Sequence, residues 1–393
     1  MIATLSQRLA VLFAFLAGPV GVLAPKGMTV LVVGVGLAGL ARWAGAGFQR
    51  SSRYNSLVVV LAALALWAAV SVAWSFEPSR ALSLVVRLTA VAMTGAGLLF
   101  AFSRLDPAFR HRAENGLLVG VVAGLAIITV GFFYAKISGN SLWGTYFFDP
   151  LTTLNNGAVA ISLLAWPAMA VAWRRNRTGA VLVAAMAYAG LLFLSSGTAL
   201  LAPLLGLVGF IVVWFLGRRG ALALAVVIPI FILAAPHIFS YSFSADAVKE
   251  ISQKLPASAK HRLAMWSFAV EKIDEKPFMG WGMDASRFIP QEDRRLGGNM
   301  EIMPLHPHNA FLQVRLELGM PGIILAAVFV GLFFAGIRNV RDRFAAALMA
   351  AAGGAYLTVA SLSYGIWQNW WVAFAWALAA LTSLALRRSS SGE

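Results

Sequence analysis

The chain has 393 residues, 60% of them hydrophobic and only 12% charged, with a mean hydropathy of +0.78. That balance excludes a soluble domain, and apolar runs long enough to cross a hydrocarbon core, about 20 helical residues each, predict transmembrane helices rather than strands. The net charge of +15 does not point to nucleic acid, because the excess sits in arginines that flank the apolar runs, and the lack of cysteine removes disulfides, thiolate catalysis and thiolate metal sites.

Twelve spans are predicted, at roughly 9–24, 27–41, 56–74, 81–103, 115–134, 151–173, 179–195, 198–216, 221–239, 309–336, 344–363 and 367–386, which makes an all-α polytopic membrane protein. The first run has the length of a signal-peptide core, but Pro19, Pro25 and Gly27 lead straight into a second run and read as a retained helical hairpin. Gly34, Gly36 and Gly39 have the spacing of a phosphate loop, yet inside an apolar span they read as helix-packing glycines. Arg80 stands at the start of the fourth span and Arg87 inside it, where a charge calls for a polar cavity or a partner.

Alternate connections carry Arg42/Arg50/Arg53, Arg104/Arg110/Arg112, Arg174/Arg175/Arg177, Arg218/Arg219, Arg338/Arg341/Arg343 and Arg387/Arg388. The intervening ones hold little more than Lys26, Arg80 and Lys136. The positive-inside rule then places both termini in the cytoplasm and the long connection 240–308 outside. This divides the chain into an N-terminal bundle of about nine helices (1–239), an extracytoplasmic loop (240–308) and about three C-terminal helices (309–393).

Within the loop, Ser258 to Lys276 reads as an amphipathic helix. Leu263, Trp266, Val270 and Ile273 share one face, with Arg262, Lys272 and Glu275 off it. Ser258 can cap its start, and Pro277, Gly280 and Gly282 stop it. Its first turn presents Lys260, His261 and Arg262, which composition alone reads as an ordinary solvated turn. At the loop's end, His306-Pro307-His308-Asn309 places groups that titrate near neutral pH where the chain re-enters the membrane, so proton transfer is their suggested chemistry. Pro307 makes it hard for both rings to point the same way. Metal binding by the pair is disfavoured, because no acidic or thiol partner stands at helix spacing. His111 reads as a solvated loop residue and His237 as an interfacial one. Beyond the loop, Trp367, Trp370, Trp371 and Trp376 read as an aromatic belt.

Three segments, Arg262-Leu-Ala-Met-Trp266, Glu275-Lys-Pro277-Phe-Met-Gly280-Trp-Gly282 and His308-Asn309-Ala-Phe-Leu312 through Glu317, Gly319 and Gly322, resemble in order and spacing the O-antigen ligase/polymerase family. Asn155-Asn156-Gly157 with Trp166-Pro167 beyond is similar to the ligase pattern around a central helix, and the resemblance spans about 145–335. It implies a GT-C-type glycosyltransferase that moves a glycan from undecaprenyl diphosphate to an acceptor hydroxyl, either lipid A-core or a growing glycan, at the periplasmic face of the bacterial inner membrane. It implies no metal ion and no cofactor.

The resemblance also implies roles. His308 matches the family histidine and is the candidate base, with His306 either the reactive ring instead or a second wall; Asn309 follows it in the motif. Arg262 matches the arginine that engages the diphosphate. Two family arginines are replaced here, by Gly197 and Asn156, so Arg80, Arg87 and Arg315 are candidate substitutes, with Lys260 and Asn155 in support. Arg315 could instead snorkel or sit near Glu317, and Glu317 reads as the partner of an arginine such as Arg315 or Arg87. A polymerase of the same family and a lipid-linked oligosaccharide flippase are the alternatives to a ligase. The flippase is disfavoured by the long histidine-bearing loop and by the lack of an internal repeat.

Overall fold

A computed structural model describes residues 2–46, 55–139, 154–192, 196–242, 257–291 and 301–386, and the regular secondary structure among them is helical. In chain order the helices are α1 (Ile2–Leu23), α2 (Met28–Gly45), α3 (Asn55–Ser71), α4 (Pro78–Ser103), α5 (Pro107–Ser138), α6 (Asn155–Arg175), α7 (Arg177–Leu192), α8 (Gly197–Leu216), α9 (Arg218–Ser242), α10 (Ala257–Glu275), α11 (Ala310–Ile337), α12 (Arg343–Leu362) and α13 (Asn369–Leu386). Ten of them are long and apolar enough to cross a membrane, and Arg177–Leu192 and Asn369–Leu384 are shorter apolar helices. The chain is therefore a polytopic membrane protein. Residues 146–153 of the ligase-like stretch and the arginines at 50, 53, 387 and 388 lie outside the described residues.

The centre of the bundle is α6, whose residues from Gly157 to Ala172 are almost all buried. The N-terminal hairpin is part of this core. α1 lies so close to α5 that a Cβ on Gly18 would stand 2.0 Å from the Gly120 carbonyl oxygen, and α2 meets α4 equally closely at Gly36 and the Thr94 carbonyl. Gly36 and Gly39 are thus packing glycines as expected, whereas Gly34 faces open space.

α10 lies against α11 and α9, burying Leu263, Met265, Trp266, Phe268, Ala269, Val270 and Ile273 in a cluster with Leu312 and Leu316 of α11. Lys272 corrects the expected face: it is buried, with Nζ 2.6 Å from Glu275 Oε1 and 5.7 Å from the centre of the Phe268 ring. A long lysine can cover apolar surface and still deliver its charge to a half-exposed partner.

The apolar run 309–336 hides a break. At Gly319 the backbone turns to φ 62°, ψ −155°, and Pro321 supplies no N–H for the Glu317 carbonyl. Segment 278–282 crosses α11 here and repairs the ladder. Trp281 N–H donates to Leu316 O at 2.9 Å, Gly282 N–H to Glu317 O at 2.8 Å, and Met320 N–H to Phe278 O at 2.9 Å. The Trp67 indole N–H on α3 donates to Leu318 O at 2.8 Å. Irregular backbone at membrane depth is tolerated only where protein satisfies it in this way. The approach requires glycine on both sides, since a Cβ on Gly319 would lie 2.1 Å from Phe278 O and one on Gly280 2.5 Å from Glu317 O.

Candidate active site

The start of α11, about three turns before the break, follows directly on the histidine pair. Asn309 caps the helix, its Oδ1 accepting from Phe311 N–H at 3.0 Å and Leu312 N–H at 3.1 Å. His308, just outside the cap, has φ 52°, a left-handed conformation that costs energy in any residue with a side chain. Several bonds hold it there. Its N–H donates to His306 Nδ1 at 3.2 Å, the preceding Pro307 carbonyl accepts from the Trp266 indole of α10 at 2.8 Å, and its Nδ1 bonds the Ser363 carbonyl.

These partners assign the tautomers. A carbonyl only accepts, so His308 Nδ1 carries the proton and Nε2 presents its lone pair, with no partner among the described residues. In His306 the roles are reversed. Nδ1 accepts from the His308 backbone, so the proton is on Nε2, 3.2 Å from the Gln368 amide. Turning that amide over lets its Oε1, otherwise without a partner, accept this proton.

The two rings lie 4.4 Å apart, tilted by 54°. Burial, with Arg262 and His261 nearby, holds His308 below the usual histidine range against the opposing pull of the Ser363 bond. Burial, the neighbouring His308 and the charge of Arg287 push His306 down to about 3. Both are neutral at physiological pH, but only His308 has an open lone pair. His306 is therefore a wall and a brace.

Arg262, half-buried on the first turns of α10, is close enough to His308 and Tyr364 to act on both electrostatically. The Tyr364 hydroxyl, held protonated by burial, donates to Asn156 Oδ1 at 2.7 Å. Asn156 is therefore tied to the same cluster. Asn155 beside it keeps an unpartnered Oδ1. Lys260 is exposed on the first turn of α10. His261 donates Nε2–H to Ile302 O at 3.0 Å, which ties α10 to the chain entering the histidine pair.

The remaining candidates sit otherwise than expected. Arg87 is on the exposed face of α4 with Leu82 and Val86. Arg315 turns towards the end of α10, where it donates to Pro277 O, and so braces the loop. Glu317 has no arginine partner. It is fully buried and accepts from the Asp284 N–H at 2.8 Å, Ser286 N–H and Oγ–H, Gln313 Nε2 at 3.0 Å and Trp367 Nε1 at 2.7 Å. Enough donors let a carboxylate be buried without a cation. Trp367 therefore belongs to this network rather than to a belt. Trp371 is fully buried, stacked on Tyr356 at 4.4 Å, and Trp376 packs on Gly95.

Through these bonds Glu317 is a hub. On one side it holds the turn 284–287, whose Asp284 carboxylate meets Arg80 at 2.9 Å and Arg287 at 3.2 Å. On the other, Trp367 and the Gln313 Oε1 bond to Ile366 N–H at 3.0 Å hold the segment whose Ser363 carbonyl sets the His308 tautomer. Sequence reasoning missed Arg287, Tyr364, Gln313 and Ser363. Tyr364 and Ser363 are joined to the site by partners 208 and 55 residues away, and Arg287 and Gln313 by side-chain bonds to Asp284 and Glu317, whose own roles the sequence does not display.

An oriented neutral imidazole beside a guanidinium, at one end of a helical bundle, defines a polytopic membrane protein equipped for group transfer. The sequence pattern of the O-antigen ligase family matches residues 181–327. A Rickettsia conorii protein described as a candidate polysaccharide ligase is 30% identical over 284 residues, 70% of this chain and 67% of its own length. A Rickettsia felis protein with the same description is 27% identical over 316 residues, 78% and 75% of the two chains. The chain belongs to the O-antigen ligase family, whose members carry out glycan transfer of the ligase or polymerase type in a membrane.

Proposed function

We propose that the protein transfers a glycan from undecaprenyl diphosphate to a hydroxyl of lipid A-core at the periplasmic face of the bacterial inner membrane, without a metal ion. His308 Nε2 takes the acceptor hydroxyl proton, the oxygen attacks the anomeric carbon, and the bond from that carbon to the diphosphate oxygen breaks. The electron pair leaves with undecaprenyl diphosphate, whose growing charge Arg262 balances.

The observation that carries this reading is the His308 Nδ1–H bond to Ser363 O, which leaves Nε2 open beside Arg262. The orientation has its own support. Arg42 donates to Arg104 O, Arg174 and Arg175 pair with Glu114, and Arg343 donates to Phe215 O, so the arginine-rich connections gather at the end of the bundle away from His308.

The test is reconstitution in liposomes with an undecaprenyl-diphosphate glycan, lipid A-core as acceptor, EDTA and no nucleotide. Transfer to lipid A-core supports the ligase. Transfer only to a second repeat unit makes it a polymerase, and movement of the donor across the bilayer without transfer overturns the enzyme reading.

A further inference from the structure

Asp284 is an internal anion held between two arginines. It is buried, with φ 58°, and its N–H is fixed by Glu317. Its Oδ2 takes Arg80 Nε at 2.9 Å, and its Oδ1 takes Arg287 Nε and Nη2, both at 3.2 Å. The geometry leaves capacity unused. Both Arg80 Nη groups and Arg287 Nη1 have no partner among the described residues, and their side chains are 50% and 27% exposed. One carboxylate thus serves two guanidinia, and these three side chains together carry a net positive charge on partly exposed arginines.

The location matters as much as the charge. Arg287 acts electrostatically on His306, as Arg262 does on His308, so the adjacent histidines feel a guanidinium on each ring from a separate element. Arg80 comes from the start of α4 and is steadied by the Phe288 ring, 5.8 Å from its guanidinium carbon. Two guanidinia preset by a shared carboxylate suit a doubly bridging oxyanion better than two free side chains, because less side-chain entropy is lost on binding.

We infer that Arg80 and Arg287, preset by Asp284, form a second phosphate-binding pair that takes over from the arginines absent at Asn156 and Gly197. The inference rests on the diphosphate-donor reading above and adds Arg287 and Asp284 to it. Asp284 is a positioning residue whose own charge competes with the bound phosphate.

The experiment measures binding of inorganic pyrophosphate to the full-length protein in nanodiscs, with thermal unfolding of each variant as a check on folding. Arg80→Ala and Arg287→Ala should each weaken binding about tenfold, the worth of one charge-assisted contact in a half-exposed setting. Arg287→Lys should recover part of that loss. Asp284→Asn keeps an acceptor that orients the guanidinia and removes the competing negative charge, so it should tighten binding, whereas Asp284→Ala, which loses the orientation as well, should not; a purely structural ion-pair cluster gives variants with loss of stability and unchanged binding. Wild-type binding in Arg80→Ala and Arg287→Ala, with Arg262→Ala weakened, overturns this inference and leaves the donor reading standing. Wild-type binding in Arg262→Ala as well overturns both.

Discussion

At the arginine-rich end of the bundle the helices finish in ordinary caps and surface contacts. Asp342 caps α12 through Phe344 and Ala345 N–H, Glu114 pairs with Arg174 and Arg175, and Arg343 reaches the Phe215 carbonyl over the Trp214 ring. At the His308 end the chain departs from regular geometry at Asp284, His308 and Gly319, and each departure is held by bonds from distant parts of the chain. The difference separates a boundary that only has to meet water from one that has to hold a ring in a single tautomer. Backbone strain persists where the surroundings over-determine it, and that occurs at the end with the candidate base.

The largest effect expected from breaking this contrast is at His308. His308→Ala should lower single-turnover transfer by roughly 10²–10⁴ while donor binding remains, since only the base is lost. In the wild type the rate should fall on acidification through a pKa below the ordinary histidine value and be flat above it, because the neutral ring is the active form. A His308→Ala enzyme with close to full turnover would remove the base from this site.

Glu317 comes next, as the hub shared by the two halves of the site. Glu317→Leu strands buried donors from Asp284, Ser286, Gln313 and Trp367 and should cost roughly 3 kcal/mol of stability or more. Glu317→Gln keeps the shape and one acceptor but turns an NH2 group towards buried donors, and should cost less than Glu317→Leu without matching the wild type. Thermal unfolding in detergent measures both, and equal midpoints for Leu and wild type would show that the network is not holding the fold.

Much of this protein is legible in its sequence, and the reason is the membrane. Apolar runs must be helical to satisfy their backbone in lipid, so the twelve expected spans correspond in order to α1–α9 and α11–α13. The same uniformity hid the break at Gly319, since hydropathy does not register a φ angle. Arg262 and His308, far apart in the chain, lie close enough to act on each other electrostatically. Glu317 was misread because a buried carboxylate suggests an arginine, whereas its donors are an indole, an amide, a hydroxyl and backbone N–H groups. Arg87 was misread because its position along α4 is visible in sequence and its face is not.

A smaller effect distinguishes the two histidines themselves. His306 is neutral down to about pH 3 in the fold but titrates near 6.5 in the unfolded chain, so the unfolded state binds one more proton between those values. Its contribution to stability is therefore intact above pH 6.5 and falls on acidification by about 1.4 kcal/mol per pH unit. His306→Gln should flatten that part of the stability–pH curve and reduce transfer far less than His308→Ala. Unfolding midpoints between pH 7 and 4 check this, and an unchanged slope in the variant would mean that His306 is not the group titrating.

The smallest effect should come from the opposite end and sets the scale for the rest. Arg343 is exposed, and its bond to Phe215 O at 3.0 Å joins two helices already packed through Val213, Ala346 and Ala347. Exposed contacts of this kind are worth about 0.5 kcal/mol or less, because water replaces them readily. Arg343→Ala should leave both the unfolding midpoint and single-turnover transfer within error of wild type, since Arg343 touches none of the bonds that orient His308. A loss of transfer comparable to that of Glu317→Leu would show that the two ends are coupled through α12, which runs from Arg343 to Leu362, next to the Ser363 carbonyl that fixes the base. The contrast between the ends would then be one of geometry alone.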